Sequence, residues 1–191
     1  AARINLAIAQ LYVPDIPAAK QAAEEALKAA PLAPQPNYLL ALIARSEGRA
    51  EDAVPYVRRV LEKDPKDLGA NVTLGQVYLQ TRQFEEAAAA FRLALASEPY
   101  NVSAAYNLGV ALMERGALDD ARKAFEHAVK VNKQFVPPLR NLALLYAAQG
   151  RPAEAAAYCA QAIKLQPGNS SAHAQIAAIF EQMGRFEDAE K

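Results

Sequence analysis

The 191-residue chain carries 21 basic and 21 acidic side chains, for no net charge, and scatters them along its length. That balance argues against nucleic acid as a partner, since a nucleic-acid binder shows clustered Lys and Arg. One cysteine cannot make an internal disulfide, and no apolar run reaches the roughly 18 residues that a membrane span needs.

No signal-peptide pattern opens the sequence. With no long apolar run, direct membrane insertion is not expected, and both a cytoplasmic and a periplasmic location fit. Hydrophobic residues make up 52% of the chain and aromatics 7%, with alanine supplying much of the difference. Alanine favours helix because it loses no side-chain entropy there, so the composition points to an all-α fold.

In chain order the sequence repeats every 34 residues without an insertion. The first unit, about 1–33, carries Leu6-Ala7, Ala19 and Pro31. The second, 34–67, carries Leu40-Ala41, Gly48, Ala53 and Pro65; its Pro55 lies a turn inside the second helix and is expected to kink that helix or delay its start. The third, 68–101, has Leu74-Gly75, Ala87 and Pro99. The fourth, 102–135, has Leu108-Gly109, Gly116 and Ala121, with Lys133 in the proline slot. The fifth, 136–169, has Leu142-Ala143, Gly150, Ala155 and Pro167, and a partial sixth from 170 has Ile176-Ala177, Gly184 and Ala189.

Within a unit the period is helical. Ala105, Leu108, Gly109 and Leu112 form one stripe, and Ala121, Phe125, Ala128 and Val129 form another. Each unit thus reads as helix A, a tight turn, helix B and a break. The glycines can take positive φ and end helix A; Pro65, Pro99 and Pro167 stop helix B. Paired acids that open helix B, Glu85-Glu86 and Asp119-Asp120, complement the helix dipole. The small residues after the leucines let A and B approach closely.

The pattern L-G-x-x-Y, then G, then A-x-x-x-F, then A, then P resembles the tetratricopeptide repeat, most clearly in "LGQVY…FEEAAAAFRLAL…P" from Leu74 and "LGVAL…LDDARKAFEHAV" from Leu108. The resemblance spans essentially the whole chain. It implies one domain over 1–191, a right-handed α-α superhelix (solenoid) whose A helices line a concave groove. One departure is the large aromatic usual early in helix A: Arg3, Asn37, Asn71, Ala105, Leu139 and His173 stand there. The sixth unit lacks most of its helix B, and neither end shows a polar cap. The chain therefore reads as a fragment of a longer array, and uncapped ends would permit self-association.

One side of helix A, with Ile43, Val77, Leu145 and Ile179, is expected to meet the next unit. The remaining face is unusually apolar for a solvated one. It carries Ile4, Ile8, Tyr38, Leu42, Val72, Leu79, Tyr106, Val110, Met113 and Leu144. Contiguous apolar surface marks interaction sites, although some of these residues would serve only as padding between neighbouring A helices. A column on this face reads Asn5, Leu39, Thr73, Asn107, Asn141, Gln175. Carboxamides both donate to and accept from a peptide backbone, and the column partly resembles the asparagine ladder of O-linked N-acetylglucosamine transferases. The expected groove residues are Tyr38, Leu42, Gln76, Tyr106, Asn107, Val110, Arg140, Asn141 and Leu144.

The Lys and Asn set of a chaperone-tail carboxylate clamp is missing; Arg140 is the one strong cation in that region. His127, His173 and Cys159 have no metal-ligand spacing. Cys159 shares a column with Phe91 and Phe125, so it reads as a small buried hydrophobe. No catalytic motif, cofactor site or metal site is expected. The sequence reads as a non-catalytic protein-protein interaction scaffold that binds a protein or peptide partner. Two alternatives are the substrate-recruiting arm of a larger enzyme such as a glycosyltransferase, and a bacterial envelope or secretion assembly factor.

Overall fold

The computed structural model describes residues 16–168, 170–182 and 184. The regular elements among them are all helices: α1 (Ile16–Ala29), α2 (Pro34–Ser46), α3 (Ala50–Lys63), α4 (Leu68–Gln80), α5 (Phe84–Ser97), α6 (Val102–Glu114), α7 (Leu118–Val131), α8 (Val136–Ala148), α9 (Pro152–Leu165) and α10 (Ser170–Gln182). The expected features at Arg3, Ile4, Asn5, Leu6, Ala7, Ile8 and Ala189 lie outside the described residues, as do the side chains of Gln175 and Ile179.

The chain divides into two compact units, Ala1–Pro99 and Tyr100–Lys191. In the first, α2 packs on α3 and α4 on α5, while α1 lies against α2 and α3 against α4. In the second, α6 packs on α7 and α8 on α9; α7 lies against α8, and α10 meets both α8 and α9. The fold is all-α, a solenoid of helix-turn-helix pairs.

Each pair closes on a matched couple of side chains. A Cβ added to Gly75 would stand 2.7 Å from the Phe91 ring, and one added to Gly109 would stand 2.5 Å from the Phe125 ring. Both rings are fully buried. In the other two pairs helix A carries Ala41 or Ala143, and the facing column holds the smaller Val57 or Cys159, again fully buried. A ring therefore faces glycine and a small side chain faces alanine, which keeps the volume near native packing density. Ile43, Val77 and Leu145 are buried as well.

The ends of the A helices follow one scheme. Gly48, Gly116 and Gly150 take positive φ (76°, 84° and 68°). The residue after each donates its N–H five residues back, from Arg49 to Ala44, from Ala117 to Leu112 and from Arg151 to Tyr146, which closes a Schellman turn. In the third repeat the same slot holds Arg82, at φ 61°, and Gln83 makes the equivalent bond to Tyr78. A left-handed non-glycine residue costs about 1–2 kcal/mol. The Arg82 guanidinium lies 5.4 Å from the Phe84 ring centroid, a contact that offsets part of that cost.

Pro55 neither delays nor divides its helix: α3 starts at Ala50 and runs through to Lys63. The carbonyl deprived of a partner belongs to the exposed residue Glu51, where solvent can serve it, and the delayed start expected of Pro55 does not follow.

Three of the slots that lack the family's aromatic hold the preceding loop by hydrogen bonds instead. Asn37 Nδ2 donates to the carbonyls of Pro31 and Ala33 (2.9 and 2.8 Å), and Asn71 Nδ2 to those of Pro65 and Asp67 (3.1 and 2.9 Å). His173 Nε2 lies 2.9 Å from the Pro167 carbonyl. Asn71 Oδ1, however, is buried without a hydrogen-bond partner, whereas Asn37 Oδ1 accepts from Arg59 at 3.5 Å.

Candidate peptide-binding face

The A helices α4 and α6 begin at a side-chain cap. Asp67 accepts from the Ala70 N–H at 2.7 Å and Asn101 from the Ala104 N–H at 2.9 Å. Proline at the first turn of α2 and of α8 supplies the right φ and lacks an N–H that would go unpaired there. Such starts fix the phase of each A helix, and hence which residues share its outer face.

In the first unit that face is largely closed. Leu42 is only 5% exposed and belongs to the core rather than to an open surface. Tyr38 is half-buried, and its hydroxyl accepts from Thr73 Oγ1 at 3.3 Å. Gly69 makes room for that hydroxyl, which would lie 2.6 Å from a Cβ there. Burial pushes the Tyr38 phenol up, the Thr73 bond opposing. Thr73 is itself buried, so the polar column offers no polar group to solvent at that position. Gln76 is half-buried and receives a hydrogen bond from Arg45 Nη1. Arg45, Gln76, Leu79 and Gln80 line a shallow recess of about 450 Å³. Arg45 escaped the sequence reading although it shares a column with Leu79 and Met113; a cation in an apolar column was the available signal.

The second unit keeps more of the face open. Tyr106, Asn107 and Val110 on α6, and Arg140 and Asn141 on α8, are all half-buried, and Leu144 is 38% exposed. The Tyr106 ring stands edge-on to Phe135, with centroids 5.4 Å apart, and 5.9 Å from Phe125. It is thus held in place from beneath. Asn107 Nδ2 makes one weak bond, to Ser103 Oγ at 3.3 Å. A pair of weakly engaged amides beside apolar side chains can hydrogen-bond a peptide backbone while apolar contacts seat its side chains.

Cys159 is fully buried, and burial pushes its thiol up to about 11. A protonated, enclosed thiol is a poor nucleophile. Among the described residues no cluster of His, Cys, Asp and Glu is arranged to hold a metal, and no helix is long and apolar enough to cross a membrane.

Stacked A/B helix pairs closed by small-residue contacts define the class of helical-repeat proteins. The chain belongs to the tetratricopeptide repeat family: one family model for this repeat matches residues 4–67 and 72–137, and a second matches 44–93 and 146–191. No curated protein matches by sequence. Among solved structures, MamA from Desulfovibrio magneticus RS-1 is similar at a TM-score of 0.78 and 20% identity, covering 87% of this chain and 94% of that one. YrrB, described as a TPR protein with an unusual peptide-binding site, is similar at 0.73 and 22%, covering 89% and 88%. Pseudomonas aeruginosa PilF is similar at 0.70 and 22%, covering 90% and 73%. At these identities the likeness is one of fold.

Proposed function

We propose that the chain is a non-catalytic scaffold that holds a peptide segment of a partner protein against the open A-helix face of its second unit. The observation that carries this reading is the combination of exposed Leu144 with the partly open Tyr106, Asn107, Val110, Arg140 and Asn141 on helices whose opposite side is core. In a monomer with nothing to bind, an A-helix face would be polar. The apolar residues supply contact area, and the two amides supply backbone bonds that do not read sequence. In the first unit, Tyr38 and Gln76 are already engaged by Thr73 and Arg45, and Leu42 is buried; this face contributes less. Family membership and the fold likeness to YrrB support a polypeptide partner.

The test is selection of peptides from a displayed random library, followed by fluorescence anisotropy on the selected sequences. Leu144→Glu, which alters an exposed side chain, should weaken the selected peptides by about tenfold or more. Asn107→Ala with Asn141→Ala should weaken them by a smaller factor. Unchanged affinity in both variants sinks the reading.

A further inference from the structure

On the B-helix side of the second unit, α7 and α9 enclose an open cleft of about 550 Å³. Val129, Tyr158 and Leu165 contribute its apolar lining, and Lys130, Lys133 and Lys164 stand around it. Tyr158 is fixed by stacking on Tyr146, with centroids 5.5 Å apart and planes 12° off parallel. The Tyr146 hydroxyl in turn donates to Glu126 Oε1 at 3.4 Å. Glu126 is the one carboxylate of the lining, and its charge is taken by Arg122 at 2.8 Å. The three lysines form no ion pair among the described residues, so the rim keeps three uncompensated positive charges on a chain with no net charge.

Lysines at the end of a helix complement its dipole, and that accounts for Lys130 and Lys164 taken singly. It does not account for Lys133, which follows α7, nor for the apolar floor they surround. The repeat does not hold a cation constant here either. The column of Lys130 and Lys164 reads Lys28, Glu62, Ala96, Lys130, Lys164, Lys133 stands in a column of prolines (Pro65, Pro99, Pro167), and Ala90 stands two repeats before Tyr158.

We propose that this cleft is a second docking site, distinct from the A-helix face, and that its occupant is an acidic amphipathic peptide. Such a peptide sets apolar side chains on Val129, Tyr158 and Leu165 and places Asp or Glu carboxylates against Lys130, Lys133 and Lys164. Charge complementarity selects the partner, and the apolar floor gives it a fixed seat.

The probe is a fluorescein-labelled synthetic helical peptide of Leu and Glu, with a matched peptide carrying Gln for Glu. Anisotropy on the full chain should show binding of the acidic peptide that weakens with salt and is at least about tenfold weaker for the Gln version. The variant K130E/K133E/K164E should lose binding by about tenfold or more with an unchanged melting curve. Leu165→Ser, which leaves every charge in place, should weaken binding severalfold. Leu144→Glu on the A-helix face should leave it intact, which separates a failure here from a failure of the first reading. Amide shift mapping should place the changes on α7 and α9. The proposal is overturned if the acidic peptide does not bind, if it binds both lysine-reversed and wild-type protein equally, or if its shifts fall on α6 and α8. It is also overturned if phosphatidylserine vesicles, or a second copy of the chain in light scattering, depend on the lysines while the peptide does not bind.

Discussion

At Gly109 the side-chain atom that any other residue would bring is already displaced by the Phe125 ring, 2.5 Å away. The ring is fully buried and has no solvent to retreat into. Gly109→Ala should therefore cost about 1–3 kcal/mol through overpacking, read as a shift in the denaturant midpoint at constant slope. The pairs Ala41 with Val57 and Ala143 with Cys159 show the remedy that the same fold already uses. Adding Phe125→Val to Gly109→Ala should recover part of the loss, so the double-mutant cycle should show positive coupling. A strictly additive result would mean that the two residues do not share the contact. A second residue-scale prediction follows from the bare Asn71 Oδ1. One repeat earlier, Arg59 serves the equivalent oxygen of Asn37; its counterpart is Leu93, 52% exposed. Leu93→Arg should stabilise the fold by about 0.5–1.5 kcal/mol by satisfying that acceptor, measured by thermal unfolding. The close packing at Gly109 was legible in the sequence because a small residue recurs beside a leucine in every unit. The orphan oxygen was not, because it depends on which side chain of a neighbouring helix reaches it.

For the helices, the clearest constraint is the left-handed residue that ends each A helix. Gly116 has φ 84° and no atom within 4 Å of an added Cβ, so Gly116→Ala tests backbone strain alone. It should destabilise by about 1 kcal/mol; no change would show that the turn relaxes into another conformation. Arg82 demonstrates that the turn forms without glycine when the rest of the repeat enforces it. Helix order, turn positions and the buried side of helix A were legible because each is written in a short-range period. The open face was legible only in part. Periodicity placed Tyr38, Leu42 and Leu144 on one face, but it does not say how much of that face adjacent helices cover. Leu42 is closed and Leu144 open for that reason. The lysine cleft was illegible for a related reason: Lys130 and Lys164 share one column with Lys28, Glu62 and Ala96, but the period does not say that these two lysines and Lys133 surround one cleft with Tyr158 and Leu165.

The molecule as a whole has equal numbers of acids and bases, and the ion pairs of Arg49, Lys123 and Arg151 lie on its surface. Exposed pairs contribute little and are screened by salt, so stability should depend weakly on ionic strength. Its pH dependence is set by a few groups. The arginines beside them hold Glu47 and Glu154 below their ordinary value of 4.5. A carboxylate lowered in the folded state supports folding above that value, and this support fades only as the pH falls below it. The alkaline side is different. Burial raises Cys159 from 9.0 to about 11 and raises Tyr38 and Tyr158 above 10.0. A raised acid ionises first in the unfolded chain, so stability is full below the unfolded value and declines as the pH climbs toward the folded one. The melting temperature should thus stay level from about pH 5 to about pH 8 and fall between about 9 and 11. Cys159→Val supplies the side chain that Val57 provides in the same column and removes the thiol. Its melting temperature should fall less steeply over the alkaline range than that of the wild type. Parallel curves would show that the buried thiol has no part in the alkaline loss and leave the two phenols to account for it.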